Sequence, residues 1–289
     1  MSLDGSNRLA LTAFGHASAR SRWRTEAMRS HDSARLIFVA RGQGRITVAG
    51  LTSGYGPNNL IFVPARTMYG FEVGASVFGQ IVTIPRAMMT DWPEESRHLR
   101  LRDVAAQKAL ATHLDHLERE LQSALPGAER AAHHHLGLIS VFFERQLAAQ
   151  ADDLVDRRHQ SAAARLVAAY TDLVERDFHD HKGVADYAAG LGVTPTHLTR
   201  CCKQTCGKSA LDLLNDRILY EARVLLRDSD SPIREIARSL GFGSAAYFTR
   251  AFQGRTGETP SAFRKGGGTG GGSGAVAANP AASVGRFVT

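Results

Sequence analysis

Two hydrophobic periods divide the chain. Between residues 34 and 85, short runs rich in Val, Ile, Phe and Thr alternate with glycine, proline and asparagine turns. The runs are 34–40, 45–48 (after the Gly42-Gln43-Gly44 turn), 60–63, 69–73 and 77–84. Short strands at this spacing predict a small antiparallel sandwich or barrel. After Trp92-Pro93 the period lengthens. Leu110, Leu114, Leu117 and Leu121 form a stripe on a helix expected over roughly 103–124. Pro126-Gly127 ends it, and Leu136, Ile139, Phe143 and Leu147 mark a second helix. The two make an antiparallel hairpin, whose stripes either bury each other and the sheet or pair in part with a second subunit. From 161 to 265 the pattern is helical almost throughout.

These periods give an α+β, two-domain expectation. Residues 1–25, without clear periodicity, read as a flexible arm. A strand-rich domain follows over 26–92, a hairpin over 93–150, a polar linker over 151–160 and an all-helical domain over 161–265. The stretch 266–289 opens with a glycine-rich run that cannot bury a core and reads as a flexible tail.

The helical half contains an internal repeat. Ala188, Leu191 and Gly192 recur as Ala237, Leu240 and Gly241; Leu198, Thr199, Arg200 and Gly207 recur one residue further on as Phe248, Thr249, Arg250 and Gly257. Each copy reads as a short helix, a glycine turn and a longer helix. Alanine permits a close crossing, glycine tolerates the sharp turn, and Thr194 and Ser244 can cap the longer helices. This is the grammar of a helix-turn-helix, whose second helix enters the DNA major groove. The helix between the copies, about 211–227, would span roughly 25 Å and could hold two reading helices about one DNA turn apart. By repeat position, Cys202 matches Phe252 and reads as core.

Composition narrows the function. The chain has 289 residues, 43% of them apolar and 22% charged, the balance of a globular protein. No apolar window approaches the roughly 18 residues a spanning helix needs, so no membrane partner is expected. The first residues lack the pattern of a secretory leader. Cys201, Cys202 and Cys206 are too clustered for a disulfide framework and fit a reducing, cytoplasmic setting. The net charge is +7, which permits nucleic-acid binding. No acid occurs over 187–211 or 236–257, whereas Arg200, Lys203, Lys208, Arg238, Arg250 and Arg255 do, as suits a surface facing phosphates.

Catalytic chemistry is poorly represented. There is no phosphate loop, nucleophile elbow or coherent triad. His31 stands alone before the first strand, and the consecutive His133, His134 and His135 point around a helix rather than to one side. His113 and His116 could share a metal across a dimer, though solvated histidines are the simpler reading. The sequence therefore predicts no catalytic residues, no cofactor and no metal.

Residues 184–264 resemble the DNA-binding domain of the AraC family of bacterial transcriptional regulators. The likeness rests on Leu191-Gly192-Val193-Thr194, on the run 217–226, on Ile233-Arg234-Glu235-Ile236-Ala237, on Gly241-Phe242, on the run 247–252, and on 256–260 with Phe263-Arg264. The strand-rich part is similar to the family's cupin-like sensor through Gly42-Gln43-Gly44 and the run 56–64. The resemblance implies base-reading positions at Thr196, Thr199, Arg200 and Lys203 in the first unit. In the second they are Ala245, Ala246, Thr249 and Arg250, with Ser244 at the helix start. Arg200 and Arg250 suit guanine, or else phosphate or an internal ion pair; the two alanines can only touch a thymine methyl. Arg41, Tyr55, Arg66 and Tyr69, near turns of the strand-rich domain, are candidate contacts to a small anionic or aromatic effector. The run 217–223 resembles the branch of the family that activates aromatic-acid catabolism, which points to an aromatic acid. The resulting expectation is an effector-responsive activator, homodimeric, acting on double-stranded promoter DNA and RNA polymerase. The alternative is a small-molecule-binding or catalytic cupin protein with a helical interaction domain.

Overall fold

Residues 34–39 and 59–63 are buried at every position because their strands are covered on both faces. The computed structural model describes residues 8–15, 22–74, 76–150 and 161–266. The chain forms two compact units, Met1–Ala168 and Ala169–Thr289. Among the described residues the first unit has strands β1 (Ala10–Gly15), β2 (Ala34–Arg41), β3 (Gly44–Val48), β4 (Leu51–Tyr55), β5 (Asn59–Val63), β6 (Tyr69–Val73), β7 (Phe78–Ile84) and β8 (Arg97–Arg100). It also has a short helix α1 (Arg22–Glu26) and the hairpin α2 (Val104–Gln122) and α3 (Ala128–Ala149).

The strands pair antiparallel in two sheets, ordered β1-β7-β2-β5-β8 and β4-β3-β6. Alternation along the inner strands serves two cores at once. Leu36, Phe38, Leu60, Phe62, Val82 and Ile84 face the hairpin and meet Leu110, Leu114, Leu117, Leu136, Ile139 and Phe143. Ile37, Val39, Ile61 and Val63 face the second sheet and meet Ile46, Tyr55, Tyr69 and Phe71. The hairpin stripes are thus spent inside their own unit. Asp103 caps α2 by accepting from the N–H groups of Ala105 and Ala106. His98 on β8 pins the two sheets together: its Nε2 lies 2.9 Å from Asn59 Oδ1 on β5 and its Nδ1 3.3 Å from Ser53 Oγ on β4.

One sequence expectation needs correcting here. The segment 10–15, placed in a flexible arm, is a strand. It pairs with β7 over Ala10↔Thr83 to Gly15↔Phe78, with Leu9 in the hairpin-side core and Phe14 between the sheets. As an edge strand it leaves Thr12 and Ala13 exposed, which blurs its period. The expected linker, 151–160, and nearly all of the glycine-rich tail lie outside the described residues.

The helical part has seven helices among the described residues: α4 (Ala162–Asp177), α5 (Val184–Gly190), α6 (Pro195–Cys206), α7 (Ala210–Asp228), α8 (Ile233–Ser239), α9 (Ala245–Thr256) and α10 (Pro260–Lys265). Arg217, buried on α7, donates to both Glu175 carboxylate oxygens at 2.8 and 3.0 Å and to Glu221 at 3.0 Å, over the Phe178 ring. Burial alone would depress its guanidinium; the carboxylates reverse this and hold it above its ordinary value. Tyr170 adds a second tie, donating to the Ala210 carbonyl at 2.7 Å.

Candidate nucleic-acid interface and sensor interior

The repeat read from the sequence is a repeat in space. Ala188 and Ala237 are fully buried where the short helices pack, and Gly192 and Gly241 take φ of 69° and 89° in the turns. Thr194 accepts from the His197 N–H and Ser244 from the Tyr247 N–H, each at 3.2 Å. Gly207 and Gly257 close α6 and α9 in the left-handed region. Leu198, Cys202, Phe248 and Phe252 point inward, each at most 1% exposed. Burial pushes the Cys202 thiol up to about 12, so it is protonated and inert.

With those faces fixed inward, the opposite faces look out. On α6, Thr196, Arg200 and Lys203 are exposed and Thr199 is half-buried beside them. On α9, Ala246 and Arg250 are exposed, with Ala245 and Thr249 half-buried. The spacing i, i+4, i+7 places Thr196, Arg200 and Lys203 on one stripe, and Ala246, Arg250 and Gln253 on the other. Gln253, also exposed, was missed by the sequence reading. The repeat offset that matches Arg200 to Arg250 matches Lys203 to Gln253, so the signal was present.

Local bonds refine what these groups can offer. Arg200 donates from Nη2 to His197 Nδ1 at 3.0 Å, which steadies its side chain. Thr249 donates its hydroxyl to the Ala245 carbonyl at 2.8 Å and so presents mainly its methyl group. Ser244 is engaged as the helix cap. Two of the basic residues have other duties. Lys208 is tied to Asp216 at 2.5 Å and Arg255 to Asp212 at 3.6 Å, both acids of α7. They brace the ends of α6 and α9 on α7.

In the strand-rich unit, the four candidate effector contacts do not come together. Tyr55 and Tyr69 lie between the sheets, 4% and 2% exposed, and share Phe71 as an edge-to-face neighbour. Burial, reinforced by Glu26 and Glu72, pushes the Tyr55 phenol up to about 12; it donates to the Glu72 carbonyl at 3.3 Å. Arg41 instead is exposed at the end of β2, and Arg66 is exposed and paired with Asp32 at 3.1 Å. The arginine over Tyr69 is Arg29, only 4% exposed, with its guanidinium 4.5 Å from the Tyr69 ring centre and 5.8 Å from that of Phe71. It precedes the first predicted strand, and nothing in the local pattern marked it.

In the hairpin, the His116 and His135 rings stand 5.2 Å apart. His113 is held below its ordinary pKa by burial first and by these two histidines second. Among the described residues no three His, Cys, Asp or Glu side chains gather as a metal-holding group. None of the described helices is long and apolar enough to cross a membrane.

Comparison with known proteins divides along the same lines. Residues 13–139 match the AraC-like ligand binding domain and residues 187–266 a helix-turn-helix domain. The arabinose operon regulatory protein of Salmonella typhimurium is 34% identical over 86 residues, 30% of this chain and 31% of that protein. The HTH-type transcriptional regulator GlxA of Rhizobium meliloti is 39% identical over 74 residues, 26% of this chain and 23% of that protein. The match thus spans about a third or less of these relatives' own length. Among solved structures, fatty-acid-bound ToxT of Vibrio cholerae covers 89% of this chain and 94% of its own at 13% identity, with a TM-score of 0.43.

Proposed function

We infer, from a chain that belongs in both of its parts to the AraC family of regulators, that it binds promoter DNA through α6 and α9 under the control of a small-molecule effector. One observation carries the DNA-binding half. Two helices with hydroxyl N-caps, glycine C-caps and inward and outward stripes in the same register stand in tandem, and neither outward stripe bears an acid. A face selected only for solubility has no reason to repeat its register. The 19-residue α7 between them is about 28 Å long, of the order of one DNA turn.

In this reading Arg200 and Arg250 reach guanine edges or phosphates, and Thr196, Thr199 and Lys203 surround the first contact. Ala245, Ala246 and the Thr249 methyl meet thymine methyls, Ser244 lies at the backbone, and Gln253 suits adenine. The protein works in the cytoplasm as a homodimer, and the outer face of α3, where Leu138 and Val141 are 50% and 40% exposed, supplies the apolar contact. The effector lies between the sheets, beside Tyr55 and Tyr69. It shifts the population of DNA-competent chains by binding one state more tightly than another. The output is activation through RNA polymerase, and no chemical step is catalysed.

The test is fluorescence anisotropy of the full chain on its own upstream DNA against scrambled DNA, across a salt series. Sequence-selective binding with a steep salt slope is expected. Equal, weak binding to both DNAs, with and without the 1–160 segment, would sink the reading.

A further inference from the structure

Three side chains of the first reading helix are joined in series, from the core to the outer face. Cys201 on α6 is 4% exposed, His197 is half-buried and Arg200 is exposed. The spacings i, i+3 and i+4 bring His197 beside both of the others. Its Nδ1 lies 3.0 Å from Arg200 Nη2, and its Nε2 lies 3.7 Å from Cys201 Sγ. A guanidinium has five N–H donors and no acceptor, so Nδ1 is the accepting atom and carries no proton. The ring proton then sits on Nε2, which faces the Cys201 sulfur. The buried thiol thus favours the tautomer whose lone pair is turned to Arg200.

The second unit has no counterpart of this series. At the offset that matches Arg200 to Arg250, His197 falls on Tyr247 and Cys201 on Ala251. The Tyr247 ring packs near Phe242, centres 6.0 Å apart. Among the described residues no hydrogen bond or ion pair holds the Arg250 side chain. An exposed cation that had only to attract phosphates would gain nothing from an acceptor beside it. What the acceptor changes is freedom. Arginine loses much rotamer entropy when it is fixed, and a side chain ordered beforehand is spared that loss on binding. The bond occupies one N–H of five, so the two needed for a guanine edge stay available.

We propose that His197 is the positioning residue for Arg200: it holds the guanidinium ready to read one base pair, and Cys201 fixes its tautomer. The proposal deepens the DNA-binding reading and rests on it. It also commits Arg200 to a base edge rather than to a phosphate.

The test is competition binding of the full chain on its own upstream DNA against single-base variants of that DNA, alongside thermal unfolding. Arg200→Ala first marks the base pair that Arg200 reads. His197→Asn keeps an acceptor, because the asparagine Oδ1 takes the place of Nδ1; His197→Leu removes it. Leucine is the better helix former, so a merely structural histidine would leave His197→Leu the sounder protein in both assays. Opposite rankings are expected instead. His197→Leu should melt at or above His197→Asn, yet lose about three- to tenfold in discrimination at the Arg200 base pair, while His197→Asn stays within about twofold of the parent. Discrimination at the other base pairs should not change. The proposal is overturned if His197→Leu discriminates as the parent does, if the two variants lose equally, or if the loss spreads evenly over the site. It is overturned too if Arg200→Ala relaxes no base preference. A parent that binds scrambled DNA as well as its own defeats the regulator reading and this proposal with it. Selective binding by the parent and an unaffected His197→Leu defeat this proposal alone.

Discussion

The two helix-turn-helix units are built on one plan, yet they differ in what fills them and in what they offer outward. The reading helix of the first packs inward through Leu198 and Cys202, its short helix adds Tyr187 in ring contact with Tyr170 at 5.7 Å, and its outer stripe of Thr196, Arg200 and Lys203 is polar. The second has an aromatic core, Phe242, Phe248, Phe252 and Phe263, in ring contact at 5.1 to 5.7 Å, and an outer stripe with Ala246 in place of threonine. The second is also strapped from outside. His181 bonds the Gly241 carbonyl, and His179 lies 3.3 Å from the Ser239 carbonyl. The turn of the first unit has no such strap among the described hydrogen bonds. The second reading helix is thus packed through aromatic rings and its turn is strapped, while the first offers more hydrogen-bonding side chains outward.

The sharpest way to break this contrast is in the cores. Phe252→Ala should cost about 3–5 kcal/mol, since it opens a cavity among Phe248 and Phe263. Cys202→Ala, at the equivalent position, removes a single sulfur and should cost clearly less. Urea unfolding of each variant decides; equal losses would mean that the second core carries no extra stability. The outer stripes give the next largest effect. Arg200→Ala should cost about 1–3 kcal/mol on the cognate site and relax the preference at one base pair. Arg250→Ala, flanked by alanines, should cost less in discrimination and act more evenly across sequences. Competition binding against single-base operator variants measures both. Greater loss of discrimination in Arg250→Ala would reverse the assignment.

What could be read from the chain follows from burial. Strands β2 and β5, covered on both faces, announced themselves as unbroken apolar runs. The three strands that were missed, β1, β4 and β8, are all sheet edges. Each shows only half a pattern: Leu51-Thr52-Ser53-Gly54 in β4, and a lone Leu99 among Arg97, His98 and Arg100 in β8. The repeat units were legible to the residue because caps, turn glycines and inward positions are all local requirements. The sensor interior was not. Arg29 reaches Tyr69 across 40 positions of sequence through an isolated bridge, and no local period encodes such a crossing. Arg66 was chosen for standing near a turn, and it is the turn that carries it outward, with φ of 59°.

The turn glycines sharpen the comparison at smaller scale. Gly192→Ala adds a Cβ into open space, so it should cost only the left-handed backbone penalty of about 1–2 kcal/mol. Gly241→Ala carries the same penalty, and its Cβ would also stand 3.1 Å from His181 Nδ1, forcing the strap aside. Thermal unfolding should rank Gly241→Ala below Gly192→Ala. In the double variant with His181→Ala that excess should vanish; if it persists, the strap is not its source.

The weakest effect is absent at neutral pH and appears only in acid. The strap is held at its base by Asp177, which accepts from Arg176 at 2.6 and 2.8 Å and from Lys182 at 2.7 Å. Those hydrogen bonds, Arg176 first and Lys182 second, hold its carboxyl well below the ordinary carboxylate range. A carboxylate depressed by folding contributes stability that is fully present above its unfolded pKa and is lost as pH falls through the lower, folded value. Acidification through that window should therefore free the loop carrying His179 and His181. Protection from amide exchange should then fall at Phe242, whose N–H donates to Ala237 at 2.9 Å, before it falls at Val193, whose N–H donates to Ala188 at 3.0 Å. Asp177→Asn should bring that early loss of protection up to neutral pH. Simultaneous loss at both turns, in parent and variant alike, would show that the strap does not distinguish the two units.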